Sequence, residues 1–175
     1  MNSKIFILLL LGVLIVISCK KNESNQIPEF EGLTLRECEQ DFNIIDDSDW
    51  RIDDKFSEIE RNLFDTLKFE SSFLKESSFA DIINDGIAGT PKVSFCPNPT
   101  SGNGYFRFTS TVIMNLAIVN QKFEKKYEFR GQYQMIAIDL SSFPYGIYRM
   151  YYVLQDTNYQ IVGIGHGDIK IGDPL

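Results

Sequence analysis

The sequence predicts a mainly β protein: an antiparallel β-sandwich over about residues 92–172, preceded by a short helical segment. Three observations predict this class. After Pro91 apolar residues recur at every second position, the period of a half-buried strand. Glycines separate these runs at short intervals, which is typical of sandwiches. Between about residues 49 and 69 the apolar spacing is instead three or four, the period of one helical face.

The helical segment comes first along the chain. Its apolar stripe consists of Ile52, Phe56, Ile59, Leu63 and Leu67, and acidic residues toward its start favour the helix dipole. A second, shorter helix is predicted from a capping-box pattern at residues 78–81, and it ends at Gly86. Neither helix can bury its stripe alone, so each must pack on another element.

The predicted strands follow. The strand around residues 147–154 is apolar on both faces, because Ile147, Tyr151 and Val153 lie opposite its core-facing side chains. We expect the helix of residues 50–69 to cover this second face, which would contribute roughly 1.5–3 kcal/mol for each buried side chain. The other alternating or short strand-like runs are residues 105–109, 112–119, 135–140, 160–164 and 168–171.

The chain begins with the pattern of an export signal. A basic start to Lys4 is followed by an apolar run over residues 5–17 and by Ser18 and Cys19. The run is shorter than the about 20 residues of a spanning helix, although an uncleaved anchor or a buried helix is the alternative. The end of the run resembles the lipobox of bacterial lipoproteins, which implies a diacylglycerol on the thiol of Cys19 and a membrane partner. By the same resemblance, Lys20 favours attachment to the outer membrane. Whether the domain faces the periplasm or the exterior stays open.

These patterns divide the chain into four parts. Residues 1–18 are the predicted lipoprotein signal peptide, 19–35 a flexible tether, 36–91 an acidic helical segment packed on the sandwich, and 92–175 the β-sandwich domain. From residue 20 to 91 there are 18 Asp and Glu against 8 Lys and Arg. Such acidity excludes nucleic-acid binding by counterion release, which needs a basic surface.

Two motifs in the C-terminal half resemble a known family. Residues 93–102 read VSFCPNPTSG and residues 138–148 read IDLSSFPYGIY, with a closing strand at 168–171. In this order they resemble the type IX secretion C-terminal sorting domain over about residues 92–172. The resemblance implies an immunoglobulin-like β-sandwich and export across the outer membrane with later removal of the domain. The chain ends in Gly-Asp-Pro-Leu where that family has a short basic tail.

Few residues suggest chemistry. His166 lies between two glycines and reads as a surface histidine, because a catalytic histidine needs a nucleophile and an orienting group. No phosphate-binding, dinucleotide or nucleophile-elbow motif occurs, so no catalytic residue and no cofactor is predicted. An acidic cluster lacks the spacing and the glycine of a calcium loop and is better explained by helix N-terminal acids. Its members are Asp46, Asp47, Asp49, Asp53 and Asp54.

The two remaining cysteines leave two alternatives. In an oxidising envelope Cys38 and Cys96 would form a disulfide worth about 4 kcal/mol on the loop-entropy model. Two free, partly buried thiols are the other alternative.

Three functions are consistent with these patterns. The first is a lipid-anchored, non-enzymatic envelope protein that acts as a binding or accessory module, with an envelope protein as its partner. The second is a cargo or component of type IX secretion whose C-terminal domain is a sorting signal. The third is an envelope hydrolase.

Overall fold

The described part of the chain is mainly β, which confirms the predicted class. The computed structural model describes residues 30, 33–38, 49–53, 56–67 and 92–173. In them a short helix precedes five of the six strands of one antiparallel sheet. The elements are β1 (Arg51–Asp53), α1 (Glu58–Arg61) with a following 3₁₀ turn (Asn62–Phe64), β2 (Val93–Cys96), β3 (Asn103–Asn120), β4 (Lys125–Asp139), β5 (Gly146–Gln155) and β6 (Ile161–Ile171).

The long strand β3 organises the sheet. Its first part pairs with β2 and its second part with β5, while β4 runs along its other side. Beyond β5 the order continues to β6 and β1. The β3–β4 register shifts between Arg107 and Val112, where a β-bulge bends a strand. A parallel bridge joins Thr100 to Ile171, so the chain leaving β2 meets the end of β6 and the sheet curls.

The sandwich arrangement itself is not confirmed. All the described strands belong to one curled sheet, and two separate packed sheets are not seen among them. The curl gives the sheet an inner face, where β2, β3, the end of β4, β5 and β6 contribute a buried core. Its largest side chains include Phe95, Phe106, Phe108, Leu116 and Tyr152.

Trp50 completes this inner core from outside the C-terminal half. Its indole stacks on Phe95 at 5.6 Å and on Tyr152 at 6.5 Å between ring centroids. It lies flat against Gly167 of β6, where a Cβ atom would come within 2.2 Å of the ring. A side chain at position 167 would therefore occupy the space that Trp50 needs.

A second apolar cluster lies on the opposite face of the sheet. Phe56, Leu63 and Phe64 pack with Tyr151 and Val153 of β5 and are buried there. Phe56 contacts the Tyr151 ring edge-on at 5.6 Å. The segment around α1 thus covers the second apolar face of β5, as the sequence pattern predicts.

The helix is shorter than the pattern predicts. Residues 51–53 form β1, which pairs with β6, and α1 begins only after Ser57. The N–H of Ser57 donates to the Glu60 carboxylate at 2.7 Å, as in a capping box. Ile52 packs on the inner core whereas Phe56 packs on the outer cluster, so the chain changes faces between them. One continuous helix cannot bury both.

Two strands are longer than predicted. The runs at 160–164 and 168–171 form one strand, β6, which continues through the intervening glycines. β4 begins at Lys125, ten residues before the run that predicts it, because residues 125–133 pair with the second part of β3. The predicted helix at residues 78–86 lies outside the described residues.

Candidate functional site

Polar side chains are buried where the N-terminal chain crosses the end of the sheet. We call residues 33–38 the strap; its Arg36 forms an isolated antiparallel bridge with Asn98 after β2. The buried polar network consists of Thr34, Asp49, Asn98, Arg149 and Asp168, all of which are buried.

Asp49 connects three parts of the chain. Its carboxylate accepts hydrogen bonds from the N–H groups of Thr34 at 2.9 Å, Trp50 at 3.1 Å and Asp168 at 2.6 Å. Burial raises the pKa of Asp49, and the N–H donors oppose that rise. Asp49 therefore fixes the strap and the start of β1 to β6, and it is not part of a helix N-terminus.

Arg149 and Asp168 form a buried ion pair between β5 and β6. Arg149 Nε donates to Oδ1 of Asp168 at 2.6 Å and Nη2 donates to Oδ2 at 2.9 Å. The two side chains are 5% and 1% exposed. Burial alone would lower the pKa of Arg149, but the Asp168 carboxylate raises it, so the guanidinium stays charged. The Phe30 ring lies over this guanidinium, 4.8 Å from Cζ to the ring centroid.

Asn98 uses its whole side-chain amide inside the network. Nδ2 donates to the carbonyls of Thr34 and Asp168, both at 2.9 Å, and Oδ1 accepts from the N–H of Lys170 at 2.9 Å. Its backbone exchanges two hydrogen bonds of 2.8 Å with Arg36. The central residue of the Pro-Asn-Pro motif therefore holds the strap, the β2 exit and β6 together.

A disulfide attaches the strap to β2. Cys38 and Cys96 are bonded, with their Cα atoms 5.0 Å apart. Nη2 of Arg107 donates to the Cys38 carbonyl at 3.1 Å and lies 2.7 Å from Sγ of Cys96. The sequence leaves open whether these cysteines pair or stay free, and in the structure they are bonded. The bond lies at the same end of the sheet as Asn98.

His166 lies within β6, in a regular strand paired on both sides, and not in the mobile setting that its flanking glycines suggest. It is half-buried, and its ring packs on Tyr151 with 5.7 Å between centroids. Burial raises the pKa of Tyr151 well above its ordinary value, so this phenol stays protonated at neutral pH.

The other sequence-predicted residues are placed unevenly. Cys19, Asp46, Asp47 and Asp54 lie outside the described residues, and Asp53 is described only as part of the β1 backbone. Within the described residues no group of three or more His, Cys, Asp or Glu is arranged to hold a metal ion. Sequence reasoning missed the roles of Trp50 and of the Asn98 side chain. The one sequence signal for the role of Trp50 was that it is a single large apolar residue beside an acidic cluster.

The arrangement is therefore suited to holding distant parts of the chain together. The side chains of Asp49, Asn98, Arg149 and Asp168 and the backbone of Thr34 donate to or accept from other parts of the chain, so the network joins distant segments. Comparison with protein-family models and with curated proteins found no match to this chain. In the described ranges no helix has the length and apolar character needed to cross a bilayer.

Proposed function

We propose that this chain is a lipid-anchored cell-envelope protein that acts as a non-enzymatic binding or accessory module at the outer membrane. The observation that carries the proposal is the order of residues up to Cys19: a basic start, an apolar run too short to span, Ser18 and then the cysteine. Acyl chains there would anchor the protein stably, since each buried methylene contributes about 0.8 kcal/mol and two chains suffice.

The disulfide supports export. Disulfides form and persist in oxidising compartments and are rare in reducing ones. Cys38 and Cys96 are bonded, and Cys96 is fully buried, so the bond belongs to the folded protein. An envelope location is the setting in which this bond is expected.

The buried polar network supports a non-enzymatic role. Asp49 and Asp168 accept hydrogen bonds from the backbone and from Arg149, and in Asn98 both amide N–H groups donate and the amide oxygen accepts within the protein. A general acid or base must reach a substrate atom at hydrogen-bond distance. These groups instead reach one another.

The sorting-domain alternative depends on the Pro-Asn-Pro motif and its companion at residues 138–148. A removable domain must be stable apart from its cargo. In this chain Trp50 lies in the core formed by the C-terminal half, and Cys38 is bonded to Cys96 of that half. Both features count against separation of residues 92–175, so we rank this alternative second.

One measurement separates the two proposals. We expect the mature protein from envelopes to have the mass of residues 19–175 plus the acyl chains, and to incorporate labelled fatty acid. The Cys19→Ser variant should lose the label and leave the membrane fraction, while Cys38→Ser, the matched control, should keep both. A mature form lacking about residues 92–175 would support sorting, and unchanged membrane association of Cys19→Ser would refute the anchor.

A further inference from the structure

The outer side of β4 offers a strand edge. β4 pairs with β3 and with no other strand of the part of the chain that the structure describes. At an edge the N–H and C=O groups of alternate residues point away from the sheet and can pair with another strand. β4 spans 15 residues, so this edge is long enough for a stable ladder.

The side chains of residues 125–135 of β4 are exposed or half-buried on both faces. On the face toward the inner core, Tyr127 and Phe129 are only half-buried, and Tyr133 is 51% exposed. The Phe129 and Tyr133 rings touch at 5.9 Å between centroids, with Gly131 between them. A Cβ at Gly131 would come within 2.8 Å of both rings, so the two rings already lie over the glycine and form an aromatic group at the strand edge.

The opposite face of β4 carries charges of alternating sign. Glu128 and Arg130 are both exposed and lie two residues apart on this face. When two antiparallel copies of β4 pair about a two-fold axis at Phe129, Glu128 of each copy faces Arg130 of the other. An axis at Glu128 or at Arg130 would instead place like charges opposite each other, which is destabilising.

We propose that β4 pairs antiparallel with β4 of a second copy of this chain, about a two-fold axis at Phe129, and so continues the sheet across a homodimer. In this register two Glu128–Arg130 pairs form on one face. On the other face Phe129 meets its own copy, and Tyr127 faces Gly131 of the second copy, beside the Phe129 and Tyr133 rings of that copy. Because facing residues in a sheet point to the same side, the inner faces of both copies stay on one side.

Two charge variants test the register. In Arg130→Glu both facing pairs become Glu opposite Glu, and in Glu128→Arg both become Arg opposite Arg. We expect each variant alone to have a dimer dissociation constant at least tenfold above that of the natural chain. Mixed in equal amounts, the two variants have complementary charges at both pairs and should form a heterodimer with an affinity near the natural one.

The assay is sedimentation equilibrium of the full chain in detergent micelles over a wide range of concentration. Lys122→Glu, which makes the same charge change in the turn outside the paired register, is the matched control and should dimerise normally. A monomeric natural chain, a variant with the natural dissociation constant, or a mixture that stays monomeric would each overturn the proposal. Circular dichroism confirms that the variants are folded.

A cysteine experiment gives an independent measurement at exposed positions. A mixture of Glu128→Cys and Arg130→Cys should form an intermolecular disulfide on mild oxidation, because the two positions face each other. A mixture of Glu128→Cys and Lys122→Cys should not. Equal cross-linking in the two mixtures would overturn the proposed register.

Discussion

The contact between Trp50 and Gly167 gives the sharpest test of how the two halves of the chain fold together. A Cβ at position 167 would lie 2.2 Å from Cδ2 and 2.5 Å from Cε2 and Cε3 of the indole, whereas ordinary contact begins at 3.4 Å. The ring would have to move by about 1 Å, but it is stacked against Phe95 and Tyr152. Such overpacking typically costs about 1–3 kcal/mol.

We therefore predict strong coupling between the two positions. Trp50→Ala should lower the free energy of unfolding by about 3–5 kcal/mol, because it removes a large buried side chain and leaves a cavity. In that background Gly167→Ala should cost little, since the methyl group enters the space that the indole has vacated. The resulting interaction energy in a double-mutant cycle should be about 1–3 kcal/mol.

Urea unfolding followed by far-ultraviolet circular dichroism measures all four proteins, because the only tryptophan is lost in two of them. Gly131→Ala is a useful control: its Cβ meets other rings and should not couple to position 50. If Gly167→Ala costs the same with Trp or Ala at position 50, the indole does not lie against β6 and the described core is wrong.

Three further predictions concern the disulfide, the buried ion pair between β5 and β6, and the turn after β4. Cys38→Ser should lower the free energy of unfolding by about 4 kcal/mol in urea titrations, because its bond closes a long loop; a reductant should affect the natural chain alone. Arg149→Met should cost about 3–5 kcal/mol because it leaves Asp168 charged and buried, and adding Asp168→Leu should recover much of this loss; an unrecovered double variant would contradict the pairing. Hydrogen bonds from the hydroxyl and the N–H of Ser141 lower the pKa of Asp139 from its ordinary value, so its stabilisation is complete above the unfolded pKa and is lost as pH falls through the lower native value. In carboxyl NMR titrations Ser141→Ala should raise that pKa part of the way, because the N–H bond remains; an unchanged pKa would refute the role of the hydroxyl.

Periodicity predicted the β class and the covered face of β5, because both depend on apolar side chains that alternate locally. Tyr151 and Val153 opposite an inward-facing set need a cover, and Phe56 and Leu63 provide it. The same periodicity misjudged residues 51–53, where Ile52 continues the helical spacing toward Phe56 but packs with Trp50 on the inner face. Spacing along the chain records which residues are apolar and does not record which of two cores receives them.

The polar network could not be predicted from local patterns for a different reason. Asp49 and Asp168 are 119 residues apart in sequence, and Asn98 and Lys170 are 72 apart. An Asp in an acidic cluster and an Asn between prolines read as helix-start and turn residues, which are their commonest local uses. Their partners are backbone groups, which carry no residue-specific signal. Only the two cysteines indicated a long-range contact, and their spacing in sequence could not decide whether they pair.

The buried carboxylate of Asp49 helps to set the pairing register between β1 and β6. Three residues of β1 pair with β6, and so short a strand could slip along its neighbour with little loss of backbone hydrogen bonds. A slip by one residue would turn Ile52 away from the inner core. Asp49 prevents this, because its carboxylate accepts the N–H of Asp168 and thereby sets which β6 residue lies beside the start of β1. That same register places Trp50 over Gly167, where the missing side chain makes room for it. The buried carboxylate therefore selects the position, and the indole buries a large apolar surface between Phe95 and Tyr152 once the position is set.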